Sequence, residues 1–388
     1  MNTIQKISDV NDEIMIKNFR EHQYNMLSDF CDLFVEYLSI QNNNYIYISR
    51  KEIFEKLDYF GLYGSQLLEV NIYTKLVDSP DEEKLFLKLL MPQLLPEQMF
   101  FLGGSFYSPA IYAIDLPIVV KKESIKLSSL FNHITIYFKD DIVIFTGVNI
   151  PISYFMSLFI GDDKETIDIL SDIVKRFKYK FELISTENII SYFQTKFSFR
   201  GNTKEELLVF LYNIFFDRYT YNLYDTCYKL TDITQIIKMA IRLYANNEIF
   251  NFVDLNYKRL IFMEMLIQPI LKRISALARL AWNGYKYDQI KIDSMAIVKH
   301  FHKTKDLTKK QKGMSGNFLY NCVNLYTGII QNRISMVPPG VENAPKTVQT
   351  IHPSHFRKIC PISISSQKPG RIVSMVPTTK LDVFGRFI

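Results

Sequence analysis

The spacing of apolar residues changes period near Pro151, and no single regular architecture accommodates both sides of that change. Between Tyr45 and about Val148 the apolar residues fall in short β-rich runs, at 45–48, 100–107, 118–120, 134–138 and 142–145. Pro80, Pro92, Pro96, Pro109, Pro117 and Gly103-Gly104 punctuate them, as expected of strands separated by turns. Beyond Pro151 the apolar positions recur every three to four residues in 153–160, 164–177, 204–216, 232–245 and 258–282. That is the signature of helices with one buried face. The pattern predicts an α+β, multi-domain fold with a strongly helical middle. Residues 11–40 predict one or two further amphipathic helices, and 317–327 a short one. The 258–282 stretch is apolar enough for a buried helix, kinked at Pro269.

With 388 residues, the chain exceeds the size at which one hydrophobic core stops growing. It is 48% hydrophobic and 22% charged, the balance of a folded globular protein and not of a disordered one. No apolar stretch reaches the ~18 residues of a membrane span, and no apolar core follows Met1 as in a secretory signal. Cys31, Cys227, Cys322 and Cys360 are far apart, which predicts reduced, cytoplasmic thiols. The net charge of +6 conceals an asymmetry. Residues 300–388 hold 13 Lys/Arg and 3 Asp/Glu, a net of +10, leaving 33 and 37 in the first 299. A polyanion is therefore expected to meet the last quarter, if anywhere.

Chemistry-bearing residues are densest in Ile351-His352-Pro353-Ser354-His355-Phe356-Arg357-Lys358-Ile359-Cys360-Pro361-Ile362, with Gly370-Arg371-Ile372-Val373-Ser374 following. Each proline pushes its predecessor out of the α region, so the segment reads as extended or turn-like. His352, His355 and Cys360 are zinc-type ligands, but a fourth is lacking. A Cys360–His nucleophile pair is weaker still, because a thiol between Ile359 and Pro361 sits in an apolar run. The remaining reading makes the histidines hydrogen-bonding posts for neighbouring loops.

This segment resembles the fork region of the β-type (second-largest) subunit of multisubunit DNA-dependent RNA polymerases, where His-Pro-Ser/Thr-His-aromatic is followed at the same spacing by Cys-Pro. Further stretches agree in the same order. Lys309-Lys310-Gln311-Lys312-Gly313-Met314-Ser315 and Arg333-Ile334-Ser335-Met336-Val337-Pro338-Pro339-Gly340 resemble the approach to the fork loop. Gly370-Arg371-Ile372-Val373-Ser374-Met375 resembles the family's Gly-Leu-Ile/Val-x-Ser/Asn-Leu, and Val383-Phe384-Gly385 its Tyr-Gly. Asp254-Leu255-Asn256-Tyr257-Lys258-Arg259-Leu260 is similar to its Lys-Arg-Leu segment, and Asn149-Ile150-Pro151-Ile152 to its Ile-Pro before the lobe helices. Two departures stand out: Ser363-Ile364-Ser365-Ser366-Gln367 replaces an acidic Glu-Thr-Pro-Glu-Gly, and Arg357 replaces a glycine.

The resemblance implies a protrusion-like part over 1–145 and 250–310, a lobe-like helical domain over 146–249 and a fork region over 311–388. It implies the N-terminal half of a split, divergent β-type subunit, like those of large-genome bacteriophages, forming one jaw of the DNA channel. Implied partners are a chain with the C-terminal half of the β-type subunit, β′-type chains, a promoter-specificity factor, DNA template, RNA product and nucleoside triphosphates. No membrane partner is implied, and the host cytoplasm is the expected location, with virion packaging open. No catalytic residue and no metal ligand is expected in this chain; Mg²⁺ of the assembled enzyme is expected on another subunit. Arg333, Lys346, Lys358, Lys368 and Arg371 are the expected nucleic-acid contacts, and His352, Pro353, His355, Cys360 and Pro361 the expected fork framework. The rival reading is a non-enzymatic nucleic-acid-binding or virion structural protein with a basic C-terminal region.

One drug phenotype follows from the resemblance. Residues 317–336 align with the family's rifamycin pocket, where Tyr320 and Ile330 stand in place of Asp and His. Losing two polar partners costs roughly 2–6 kcal/mol of ligand binding, at about 1–3 for each unpaired group. The assembled enzyme should therefore keep synthesising RNA at rifamycin concentrations that stop a bacterial polymerase, as a transcription assay with a drug titration will show.

Overall fold

The computed structural model describes residues 111–261 apart from Phe131, Asp162, Ser198 and Phe252, together with 333–337, 350–363, 372–376, 379–388, His22 and Glu264. It also describes the backbone of β1 (Tyr45–Asp58), β2 (Ser65–Leu76), β3 (Ser79–Pro92), β4 (Phe100–Leu102) and β5 (Ser105–Tyr107). The chain forms two compact units: Asp115–Asn251 is one, and Met1–Ile114 with Phe252–Ile388 is the other. Among the described residues the fold is mixed α+β, and no helix is long and apolar enough to cross a membrane.

The 115–251 unit begins with an antiparallel meander of β7 (Ile118–Val120), β8 (Ser124–Ser128), β9 (His133–Tyr137), β10 (Ile142–Phe145) and β11 (Val148–Pro151), paired in sequence order. Side chains of a strand alternate between faces, and the register stacks the apolar set on one of them. Ile125 pairs with Ile136 and Leu127 with Ile134, while Val143 and Phe145 continue across from Ile136 and Ile134. All six are fully buried, each contributing about 1.5–3 kcal/mol relative to exposure. Between β10 and β11, Thr146 and Gly147 both take positive φ, 50° and 82°, the backbone of a two-residue hairpin whose twist matches its strands.

Six helices follow: α1 (Ile152–Ile160), α2 (Lys164–Arg176), α3 (Thr186–Phe197), α4 (Lys204–Phe215), α5 (Arg218–Tyr228) and α6 (Ile233–Ala245). They share one core with the sheet, so the unit opens at Asp115, earlier than residue 146, where the sequence places the helical domain. The spacing of Ile233, Ile236, Ile237, Ala240, Ile241 and Tyr244 gives α6 a single buried face. Starts are fixed chemically. Asp163, Thr203, Asp217 and Asp232 each accept a backbone N–H from the first turn of α2, α4, α5 and α6, the ordinary N-cap bond. Lys238 on α6 reaches the α2 cap at 2.8 Å, and with Thr166 it lowers the Asp163 carboxyl to about 2.

The other unit holds a three-stranded antiparallel sheet β1-β2-β3, the β4–β5 hairpin, and a four-stranded sheet. The last is made of β6 (Ile111–Asp115), β12 (Lys258–Ile261), β13 (Arg333–Ser335) and β14 (Ile372–Ser374), in the order β12-β6-β13-β14. Here Ile334 lies parallel against Ile111 and antiparallel against Val373, and all three are buried. The helix expected from Lys258 is corrected at its start: 258–261 is a strand, because the Leu260 N–H bonds the Gly385 carbonyl at 2.8 Å and Arg259 bridges Arg386. A short apolar run fits a buried strand as well as a helix; apart from Glu264, 262–282 lies outside the described residues. The expected 100–107 run divides into β4 and β5, with Leu102 paired to Ser105. The helices expected over 11–40 and 317–327 and the connector at 303–316 lie outside the described residues, except that His22 is helical.

Thr220 carries the most consequential buried polar link of the 115–251 unit. Its hydroxyl donates to Asp217 at 2.7 Å and accepts the Leu130 N–H at 2.9 Å. The Thr220→Val variant keeps the shape but removes that acceptor, so it should lose about 1–3 kcal/mol, measured as a lowered midpoint in urea unfolding.

Candidate functional site

Two short turns, distant in sequence, close against each other in the second unit. The first, Leu255–Tyr257, is a single 3-10 turn capped by Asp254, whose carboxylate accepts the Asn256 N–H at 2.9 Å. The second is the 3-10 turn Pro353–His355, where Pro353 supplies a fixed φ at the first position. His352 caps it: its Nδ1 accepts the Ser354 N–H at 3.3 Å, and His355 Nδ1 in return accepts the His352 N–H at 3.4 Å.

His355 is the hinge between the two turns. Its side chain is buried, with 4% of its surface exposed, and its Nε2 lies 2.9 Å from the Val253 carbonyl. A carbonyl only accepts, so Nε2 carries the proton; Nδ1 accepts from His352, and the ring is neutral. Burial pushes its pKa below 6.5, with the Val253 hydrogen bond opposing that shift and the His352 ring assisting it. Next to it, Ser354 Oγ accepts the Leu255 N–H at 2.9 Å and contacts His352 Nδ1 at 2.9 Å. The His352 ring also approaches Asp254, at 3.9 Å.

The segment is then stitched to β14. Ile359 bridges Met375, the Cys360 N–H donates to the Ser374 carbonyl at 2.8 Å, and the Lys358 carbonyl accepts from Val376 N and Thr379 Oγ1 at 3.0 and 2.9 Å. The C-terminal stretch closes onto β12, ordered by Asp382, which accepts from the Phe384 and Arg386 backbones and from Arg386 Nε. Below it Arg259 meets Glu264 in a buried two-pronged ion pair at 2.6 and 2.8 Å. The 352–361 stretch, the 254–260 segment, β13, β14 and 383–385 thus belong to one compact unit.

No protein-family model matches the chain, and no curated protein matches it.

The residues singled out from the sequence divide as follows. His352, Pro353, His355, Cys360 and Pro361 lie in the Pro353–His355 turn, its cap and its exit. Both ring nitrogens of His355 are taken by backbone groups, and among the described residues no three His, Cys, Asp or Glu side chains gather as metal ligands. Arg333 lies on β13 beside Ser374. The Lys358 ammonium turns back into its own unit, donating to Asn256 Oδ1 at 3.3 Å and resting 5.5 Å from the centre of the Phe387 ring. Lys346, Lys368 and Arg371 lie outside the described residues.

Arg357 has φ +61°, the left-handed region that glycine occupies without strain. This is the position where the resembled family carries glycine. The backbone there has a glycine-like bend with an arginine side chain on it. Sequence reasoning passed over Ser354, Asn256 and Asp382, whose roles depend on partners 99 and 102 residues away, Leu255 and Lys358, or on a turn with no distinctive spacing.

A pH dependence follows. A folded-state pKa below the unfolded 6.5 means that the neutral ring stabilises the fold fully above about pH 6.5, and that this contribution is lost as pH falls through the folded value. Thermal unfolding followed from about pH 7.5 down to pH 5 should show a steeper loss of stability in the parent chain than in His355→Gln, which has no titrating ring.

Proposed function

We propose that this chain is the N-terminal half of a split, divergent β-type subunit of a multisubunit DNA-dependent RNA polymerase, with a protrusion, a lobe and a fork along one side of the DNA channel. The observation that carries the reading is the meeting of the motif stretches. Residues 254–260, 333–337, 352–361, 372–376 and 383–385 are scattered over the last third of the chain, yet they share one sheet and its attached turns. Independent surface motifs have no reason to converge in this way. The glycine-type φ of Arg357 at a position where the family has glycine adds a second, independent agreement.

On this reading the chain contributes architecture and electrostatics, not bond-making groups. Nucleotidyl transfer draws on Mg²⁺ held by carboxylates of another subunit, which activates the attacking hydroxyl and neutralises the leaving pyrophosphate. The basic 300–388 stretch meets phosphates and releases their condensed counterions. The lobe-like 115–251 unit flanks the channel, and the assembled enzyme works in the host cytoplasm.

A tagged version of the chain, recovered from its native host with whatever co-purifies, provides the test. The expected result is a set of partner chains, one with the family's metal-binding aspartates, and Mg²⁺-dependent RNA synthesis on DNA. Recovery of a lone, monodisperse, inactive protein overturns the proposal in favour of the non-enzymatic binding or virion protein.

A further inference from the structure

The fork turn holds its polar groups inward and presents an aromatic ring outward. Phe356 follows the buried His355 and precedes the buried Ile359, yet 76% of its surface is exposed. The ring is not on a loose loop. The Phe356 N–H bonds the Pro353 carbonyl, and the Lys358 and Ile359 N–H groups both bond the His355 carbonyl, so the backbone on each side is fixed. Displaying a rigid aromatic to water in this way serves no packing purpose.

A cation accompanies the ring. The guanidinium carbon of the exposed Arg357 lies 5.4 Å from the centre of the Phe356 ring, within the range of a cation–π contact. Arg357 itself has φ +61°, and its side chain is exposed beside the exposed ring. Lys358, the neighbouring cation, is engaged with Asn256 and Phe387.

We propose that Phe356 and Arg357 together form a stacking site for an unpaired base of single-stranded nucleic acid. The charge of the sequence on either side of the pair selects this occupant. From 343 to 381 the sequence has six Lys/Arg (Lys346, Arg357, Lys358, Lys368, Arg371 and Lys380) and no Asp or Glu. An aromatic face beside a guanidinium, in a stretch without carboxylates, offers a π-surface to a base and a charged donor to its phosphate. Duplex DNA keeps its base faces stacked internally, so an unpaired strand is favoured. The inference rests on the reading of this region as a polymerase fork and deepens it, moving the contact from Lys358 to the adjacent pair.

The test uses the full chain with its co-purifying partners, titrated with a fluorescently labelled oligo(dT) and with a duplex of equal length at two salt concentrations. Phe356→Ala should weaken single-strand binding about tenfold, within the range that stacking of one base supplies, and leave duplex binding within about twofold. Phe356→Trp should restore it. Arg357→Gly suits the φ of its position, so the fold survives; it should reduce the salt slope by about 0.7, one phosphate's worth for a single strand. Unchanged oligo(dT) affinity in Phe356→Ala, no oligo(dT) binding by the parent chain, or loss of a partner protein in place of nucleic acid each overturns the site. If transcription and partners persist while Phe356→Ala binds normally, the stacking site fails and the polymerase reading stands. If the stacking effect holds in a lone chain that makes no RNA, the polymerase reading fails and the stacking site stands.

Discussion

The His355 ring bonds a backbone amide three residues before it and a backbone carbonyl 102 residues away, and that pair of bonds holds together two turns on which the described strands around them converge. The ring must be neutral to accept and donate at once. It must be buried to make those bonds count, since a hydrogen bond left unmade in the interior costs about 1–3 kcal/mol. Once the two turns are locked, Ser354 reaches the Leu255 amide, the strand after Tyr257 is aimed at the Gly385 carbonyl, and residues 359–360 fall into line with β14. The outward faces of the same turn, Phe356 and Arg357, are then fixed as a by-product of inward bonding. Rigidity on one side produces a preorganised surface on the other.

Several elements were legible in the sequence because their apolar residues repeat with an unambiguous period. The helices at 152–160, 164–176, 204–215 and 233–245 announce a buried face, and β7 and β10 coincide with the apolar runs that mark them. Thr186–Phe197 and Arg218–Tyr228 were passed over for a physical reason. The first buries only Ile189 and Phe193, and the second buries two tyrosines, a threonine and a single leucine, Leu223, so neither raises a strong periodic apolar signal. The strand at Lys258 escaped because Lys258 and Arg259 are buried there, the latter neutralised by Glu264, whereas basic residues in a sequence ordinarily read as surface.

The 352–361 segment was legible as a motif but not as a mechanism of assembly. His352, His355 and Cys360 are visible by type and spacing. Their partners are mostly main-chain groups, at Val253, Ser354, His352 and Ser374, which every residue possesses and no sequence pattern reports. The left-handed bend at Arg357 was hidden for a related cause: a side chain that disfavours the conformation occupies it. Phe356 drew no notice as a contact residue because an aromatic in an apolar segment is usually core.

The 115–251 unit is an uninterrupted piece of chain set within a unit that is not. β6 must wait for β13, more than 200 residues later, before its parallel pairing exists, and Val253 must wait for His355. Contacts of such sequence separation form slowly, whereas the strands of the 115–251 meander pair in sequence order and all of that unit's chain is contiguous. During synthesis the inserted unit can therefore emerge and fold while its host is still a pair of loose ends. The ribosome delivers a finished domain with one flank made and the other still to come, and the 353–355 turn cannot close on Val253 until both have emerged.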